Sequence, residues 1–154
     1  MLEMVNKERS QAGLSAVCYN EKLDKAADMQ STWNALGRAA EGRSLDGDIA
    51  EGVKKGEDAA HIAHSGKNGS SLSDRAKEAG YEFALVSENV AWGQPDVIQV
   101  MTDWMKSPGH KANILDKGGI KHAGFAMVKD KSGTLHWTQV FGSSGDSCID
   151  PPTT

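Results

Sequence analysis

Apolar residues in the first quarter of the chain recur at helical spacing, whereas those of the last third alternate with polar ones. Leu2, Val5 and Arg9, with Met4 and Glu8, share a helical face over residues 2–12, and Gly13 supplies the stop. Asn20 suits the cap of a second helix reaching about Leu36. Its stripe of Leu23, Ala26, Ala27, Gln30 and Trp33 or Asn34 predicts packing through Leu23, Ala27 and Trp33. Turn chemistry in HSGKNGSS, 64–71, precedes a short Ser-capped helix over 73–79 that Gly80 ends. ALVSENVAW, 84–92, reads as a strand carrying Glu88, and Pro95 suits the first position of a helix whose Val97, Val100, Met101 and Trp104 form one face ending near Ser107. Residues 119–130 and 134–142 flank the turn KSG, the clearest antiparallel hairpin in the chain. Helices first, then strands with a helix between, predict an α+β fold.

The pattern lapses between Gly37 and Asp58, where Gly37, Gly42, Gly47 and Gly52 recur among charges and Leu45, Ile49 and Val53 are the large apolar residues. This stretch reads as a polar surface insertion, with a lid or partner-binding segment as the functional alternative. A polar tail, 143–154, closes the single domain expected over 1–154.

Composition narrows the function classes. With 38% hydrophobic residues in 154 the chain has an ordinary globular content, and a net charge of −4 argues against sequence-independent binding to nucleic acid. No run approaches the ~18 apolar residues of a membrane-spanning helix, and the N-terminal residues lack the basic segment and apolar run of a signal peptide. Cys18 and Cys148 lie outside any CxxC pair. Two free buried thiols or one disulfide both fit, and the polar tail SSGDSCIDPPTT, which has little apolar surface to hold it, favours the disulfide. Closing so long a loop stabilises by roughly 4–5 kcal/mol in the chain-entropy picture, and it implies an extracellular, oxidising compartment.

The residues that can carry chemistry are few. Ser107-Pro108-Gly109-His110 has the form of a helix start, which fixes His110 in the first turn with Asn113 three residues on, so that imidazole and amide can share a site. Glu88 sits in an apolar strand and needs a partner: backbone N–H groups, or His64 or His110. Glu57, His61 and His64 form ExxxHxxH, a weak metal pattern broken at once by SGKNG, while His122 and His136 read as surface or cross-strand residues of the hairpin. GxSxG and phosphate-cradling glycine motifs are missing.

In order along the chain, VNKERSQAGL, AHSGKNGSS, SENVAWG, SPGHKANIL and WTQVFG resemble the landmarks of the CAP superfamily, which includes cysteine-rich secretory proteins, antigen 5 and plant pathogenesis-related class 1 proteins. Within it the chain is most similar to the short SCP-like extracellular domains of microbes, from about Leu2 to Gly142. The resemblance implies an α-β-α sandwich with a central antiparallel sheet between helical layers, and a cleft of two histidines and two glutamates. His64, Glu88 and His110 match three of these, Ser87 replaces the glycine of the G-E-N motif, and Ser107 stands where animal and plant members carry the second glutamate. It further implies that His64 and His110, with Glu88, are candidate ligands for Zn²⁺ or another divalent cation, with no cofactor required. The function implied is that of a secreted, non-enzymatic domain binding a sterol or fatty acid, or a host or microbial protein, in host interaction or defence. The alternative is a divalent-metal-dependent hydrolase with Glu88 as general base. Family members' sterol loops tend to be aromatic, but residues 34–60 hold no aromatic side chain, so a fatty acid in an apolar groove, with the insertion as lid, fits this sequence better.

Overall fold

The structure is a computed structural model and describes residues 1–41 and 64–150. Helix α1 (Leu2–Gln11) leads through the two-residue strand β1 (Cys18–Tyr19) into α2 (Glu21–Glu41). A 3₁₀ turn, Lys67–Gly69, precedes α3 (Leu72–Glu78), then β2 (Phe83–Trp92), α4 (Val97–Lys106), α5 (Pro108–Ile114), β3 (His122–Lys129) and β4 (Leu135–Ser144). The sheet order is β1-β3-β4-β2. The three long strands are antiparallel, and β1 adds to the β3 edge in parallel.

Helices cover both faces of this sheet, as the α-β-α sandwich requires. On one face Val5, Val100, Met101, Trp104 and Ile114 pack with Trp137 and Phe141 of β4; on the other, Leu23, Ala27, Ala76 and Tyr81 pack with Val140. Successive β4 side chains therefore enter opposite cores, because neighbouring residues of a strand point to opposite faces. Small residues bring α2 down onto the sheet. A Cβ at Gly124 would lie 2.2 Å from the backbone of Leu23 and Asp24, so only glycine admits the helix there.

Most predicted elements are present, with local corrections. Asn20 caps α2 as expected, its Oδ1 accepting from the N–H groups of Lys22 and Leu23. The helix, however, passes Leu36 and is still helical at Glu41, the last described residue before 42–63, because the strong helix formers of ALGRAAE outweigh about 1 kcal/mol for one internal glycine. Trp33 is 37% exposed rather than packed: the buried stripe is Leu23, Ala26, Ala27, Gln30, Ser31 and Ala35, and Trp33 lies on its flank. Pro95 is not the first helical residue: α4 begins at Val97, capped by Asp96, whose carboxylate accepts from Gln99 N–H. The third helix starts one residue early, with Ser71 and Asp74 forming a reciprocal capping box. Residues 42–58 of the predicted insertion, with Glu57 and His61, lie outside the described residues.

Candidate functional site

Glu88 of β2 lies on the sheet's outer strand, and its side chain is 2% exposed. Its partner is Arg75 of α3, which donates from Nη1 to Oε2 at 2.6 Å and from Nη2 to Oε1 at 2.9 Å. Such a two-point guanidinium–carboxylate pair is among the strongest charge-assisted contacts. The same guanidinium donates to the carbonyls of Ala26 and His64, both at 3.2 Å, so it joins α2, the residue 64 turn and β2. Among the described residues, Arg75 Nε–H has no acceptor although the residue is 2% exposed.

Arg75 was missed by the sequence reading, yet a signal was there. Leu72, Arg75, Ala76 and Ala79 share one helical face, so the arginine occupies a core-facing position and requires a buried carboxylate. Glu88 is the carboxylate embedded in the apolar strand.

His64, one of the partners open to Glu88 from the sequence, meets it, Nδ1 to Oε1 at 2.9 Å, with its side chain 38% exposed. His110 does not touch Glu88. Its Nδ1 pairs with Ser107 Oγ at 2.7 Å, so the hydroxyl at the helix start is turned to the imidazole and makes no capping bond. Burial lowers the His110 pKa below its ordinary 6.5, and the nearby His64 lowers it further. Asn113 turns inward: its Nδ2 donates to Glu88 O at 3.2 Å and Asn89 Oδ1 at 2.8 Å, while Asn89 Nδ2 donates to His110 O and Gln139 Oε1. Asn113 thus locks α5 to β2 instead of presenting an amide beside the imidazole.

The donor set falls short of a divalent-metal site. Each of the two histidines has Nδ1 engaged, leaving its Nε2 as the ligand atom. Glu88 has both oxygens committed, to Arg75 and His64. Among the described residues, His64, Glu88 and His110 do not gather ligand atoms within one coordination sphere; the cluster that does is Cys18, His122 and Cys148, within 4.8 Å of one another. Two imidazoles fall short of the three protein ligands usual in catalytic zinc sites.

Cys18 and Cys148 form the expected disulfide, with Cα atoms 5.6 Å apart. His122 and His136 depart from the surface reading: each is 1% exposed. His122 bonds Tyr81 Oη at 2.8 Å and Asp146 O at 3.1 Å, and His136 Nε2 meets Asp130 Oδ2 at 2.9 Å.

Beside the Arg75 pair, α2, the 3₁₀ turn and α3 enclose an open groove of about 580 Å³. Met29, Trp33 and Leu36 give it an apolar wall, with Lys67 and Arg75 opposed by Asp28 and Glu78. Its size falls within the roughly 300–1,000 Å³ of small-molecule sites.

Comparison with known proteins places this architecture. Residues 2–141 match the cysteine-rich secretory protein family, CAP. The uncharacterized protein YkwD of Bacillus subtilis is 29% identical over 141 residues, and this chain spans 45% of that relative's length and is itself 92% covered. An SCP-domain extracellular protein of Bacillus anthracis superposes with a TM-score of 0.69 at 18% identity, over 93% of this chain and 39% of that one. An outer surface protein of Borrelia burgdorferi gives 0.65 at 16% identity, over 92% and 87% of the two chains. At these identities the solved structures carry the likeness of fold.

Proposed function

The chain belongs to the cysteine-rich secretory protein family, and from that premise we propose that it is an extracellular binding domain, not an enzyme, that takes a fatty acid in the groove between α2 and α3. The observation that carries this reading is the pairing of an apolar wall with an unused buried donor. Trp33 and Leu36 are 37% and 60% exposed on the groove side of α2, and Arg75 lines the same groove with its Nε–H lacking an acceptor among the described residues. An acyl chain would cover the apolar wall, and its carboxylate would supply the acceptor, aided by Lys67 at the rim. An unsatisfied buried donor costs about 1–3 kcal/mol, so satisfying it adds to the hydrophobic gain. The Cys18–Cys148 disulfide supports an oxidising, extracellular setting. Hydrolysis is not favoured, since it needs Glu88 free as a base and both its oxygens are held.

Calorimetric titration with palmitate below its aggregation limit tests the proposal. One site of micromolar affinity is expected, weakened about tenfold or more by Leu36→Asp, in keeping with the loss of one buried aliphatic contact. Wild-type protein that takes up no palmitate at micromolar concentration overturns it.

A further inference from the structure

Away from the cleft, the disulfide has an unusual neighbour. Cys18 and His122 are direct partners in the β1–β3 pairing, which sets their side chains on the same face, and Cys148 reaches them from the tail. One ligand atom from each residue lies within 4.8 Å of the others. A tetrahedral zinc with Zn–S near 2.3 Å and Zn–N near 2.0 Å separates its ligand atoms by only about 3.5–3.8 Å, so the cluster has coordination dimensions once the sulfurs part.

We propose that this cluster is a second, redox-gated metal site: reduction of the disulfide converts Cys18, Cys148 and His122 into three ligands for Zn²⁺. Three features prepare it. First, the tail is held independently of the disulfide. Asp146 accepts from Asn20 Nδ2 at 3.1 Å and from Lys22 Nζ at 3.0 Å, and Ile149 bridges to Tyr19, so the thiols stay side by side after reduction. Second, the two imidazole nitrogens are held differently. Nδ1 is fixed to the buried Tyr81 hydroxyl at 2.8 Å, whereas Nε2 meets the tail carbonyl of Asp146 at 3.1 Å. Metal takes Nε2, and Nδ1–H then donates to Tyr81, the outer-shell bond that fixes the tautomer of a ligating histidine. Third, Cys148 is exposed and Cys18 half-buried, so reductant and metal have a route in.

The chemistry balances. A dithiol delivers two electrons and two protons to the S–S bond, giving two protein thiols, and is itself oxidised to its cyclic disulfide. Zn²⁺ then displaces both thiol protons to solvent and is bound by two thiolates and a neutral imidazole, a site of zero net charge, with water in the fourth position. The tail would thus be stapled in either redox state, by sulfur alone or by metal.

Cobalt reports the site directly. Protein reduced with a phosphine, desalted without oxygen and titrated with Co²⁺ should develop a thiolate-to-cobalt charge-transfer band and tetrahedral d–d bands that saturate at one equivalent and bleach with Zn²⁺. Oxidised protein and the Cys148→Ser variant should develop neither. His122→Gln should weaken Co²⁺ binding at least tenfold; should that variant not fold, Tyr81→Phe, which removes only the outer-shell bond, should weaken it by about tenfold. Reduced protein that keeps its native circular dichroism without these bands overturns the proposal, as does reduced protein that unfolds and is not restored by Zn²⁺. Variants of His122 and Tyr81 with unaltered affinity overturn it equally.

Discussion

His64 and His110 line the cleft half-exposed, each with one ring nitrogen engaged, while His122 and His136 are sealed in the sheet and tied to buried partners. One residue type thus serves two purposes. The sealed histidines tie the inner strands to Tyr81, the hairpin turn and the tail, whereas the cleft histidines are held through Nδ1. Burial of the ring, more than proximity to a carboxylate, separates the structural histidines from those able to meet a ligand. His136 and His64 make the same carboxylate contact, at 2.9 Å in both, in opposite settings.

The largest expected effect removes the charge that anchors the cleft. Arg75→Met leaves Glu88 buried without its counter-charge and should cost about 3–5 kcal/mol in urea unfolding, with most of the loss recovered by adding Glu88→Leu. A loss under about 1 kcal/mol would mean that His64 and solvent suffice, and the cleft would then be no more built than the surface. Next in size is the contrast between the two histidine classes. His122→Ala should cost about 2–3 kcal/mol, since it empties a buried ring site and strands the Tyr81 hydroxyl and the Asp146 carbonyl, whereas His64→Ala should cost no more than about 1 kcal/mol. Equal losses at the two positions would dissolve the distinction.

This contrast also marks what was legible in the sequence. The hairpin, the β2 strand and the capped helices follow from spacing and turn residues, which are local properties. Burial of His122 and His136 does not, because polar residues alternating along a strand face water only where one side of the sheet is open. Here β4 is an inner strand with helices on both sides, so His136, Thr138 and Gln139 are as buried as Trp137 and Phe141. Trp33 errs in the other direction: its spacing fits a helix, but the face that packs is set by the small residues that let α2 approach Gly124. At the site, His64, Glu88 and His110 are the candidates that motif landmarks offer, but Arg75, which holds Glu88 and the His64 carbonyl, comes from α3 and could be found only by asking why an arginine sits on an apolar face.

Acid should separate the two regions by pH. His110 has a folded pKa below its ordinary 6.5, so the fold favours its neutral form; that contribution is complete above about pH 6.5 and is lost as pH falls through the folded value. At the hairpin, burial raises the Asp130 pKa, but hydrogen bonds from Ser132, His136 and Thr134 outweigh it and bring the value to about 2. Its contribution is complete above the ordinary 3.8 and is lost as pH falls from there toward about 2. Unfolding midpoints should therefore fall in two stages, with His110→Asn flattening the upper stage and Asp130→Asn the lower. A single transition unaffected by His110→Asn would remove the cleft's share.

The smallest expected effect tests whether Ser107 orients His110. If Ser107 orients the ring by donating Oγ–H to Nδ1, the neutral ring carries its proton on Nε2, and nitrogen chemical shifts should report that tautomer in the wild-type protein. Ser107→Ala removes a half-buried hydroxyl that makes no capping bond, so stability should change by no more than about 0.5 kcal/mol. The ring should nonetheless redistribute between its two tautomers. A spectrum unchanged by the substitution would show that burial alone sets the imidazole, and the cleft histidine would then resemble the sealed ones more closely than its half-buried setting implies.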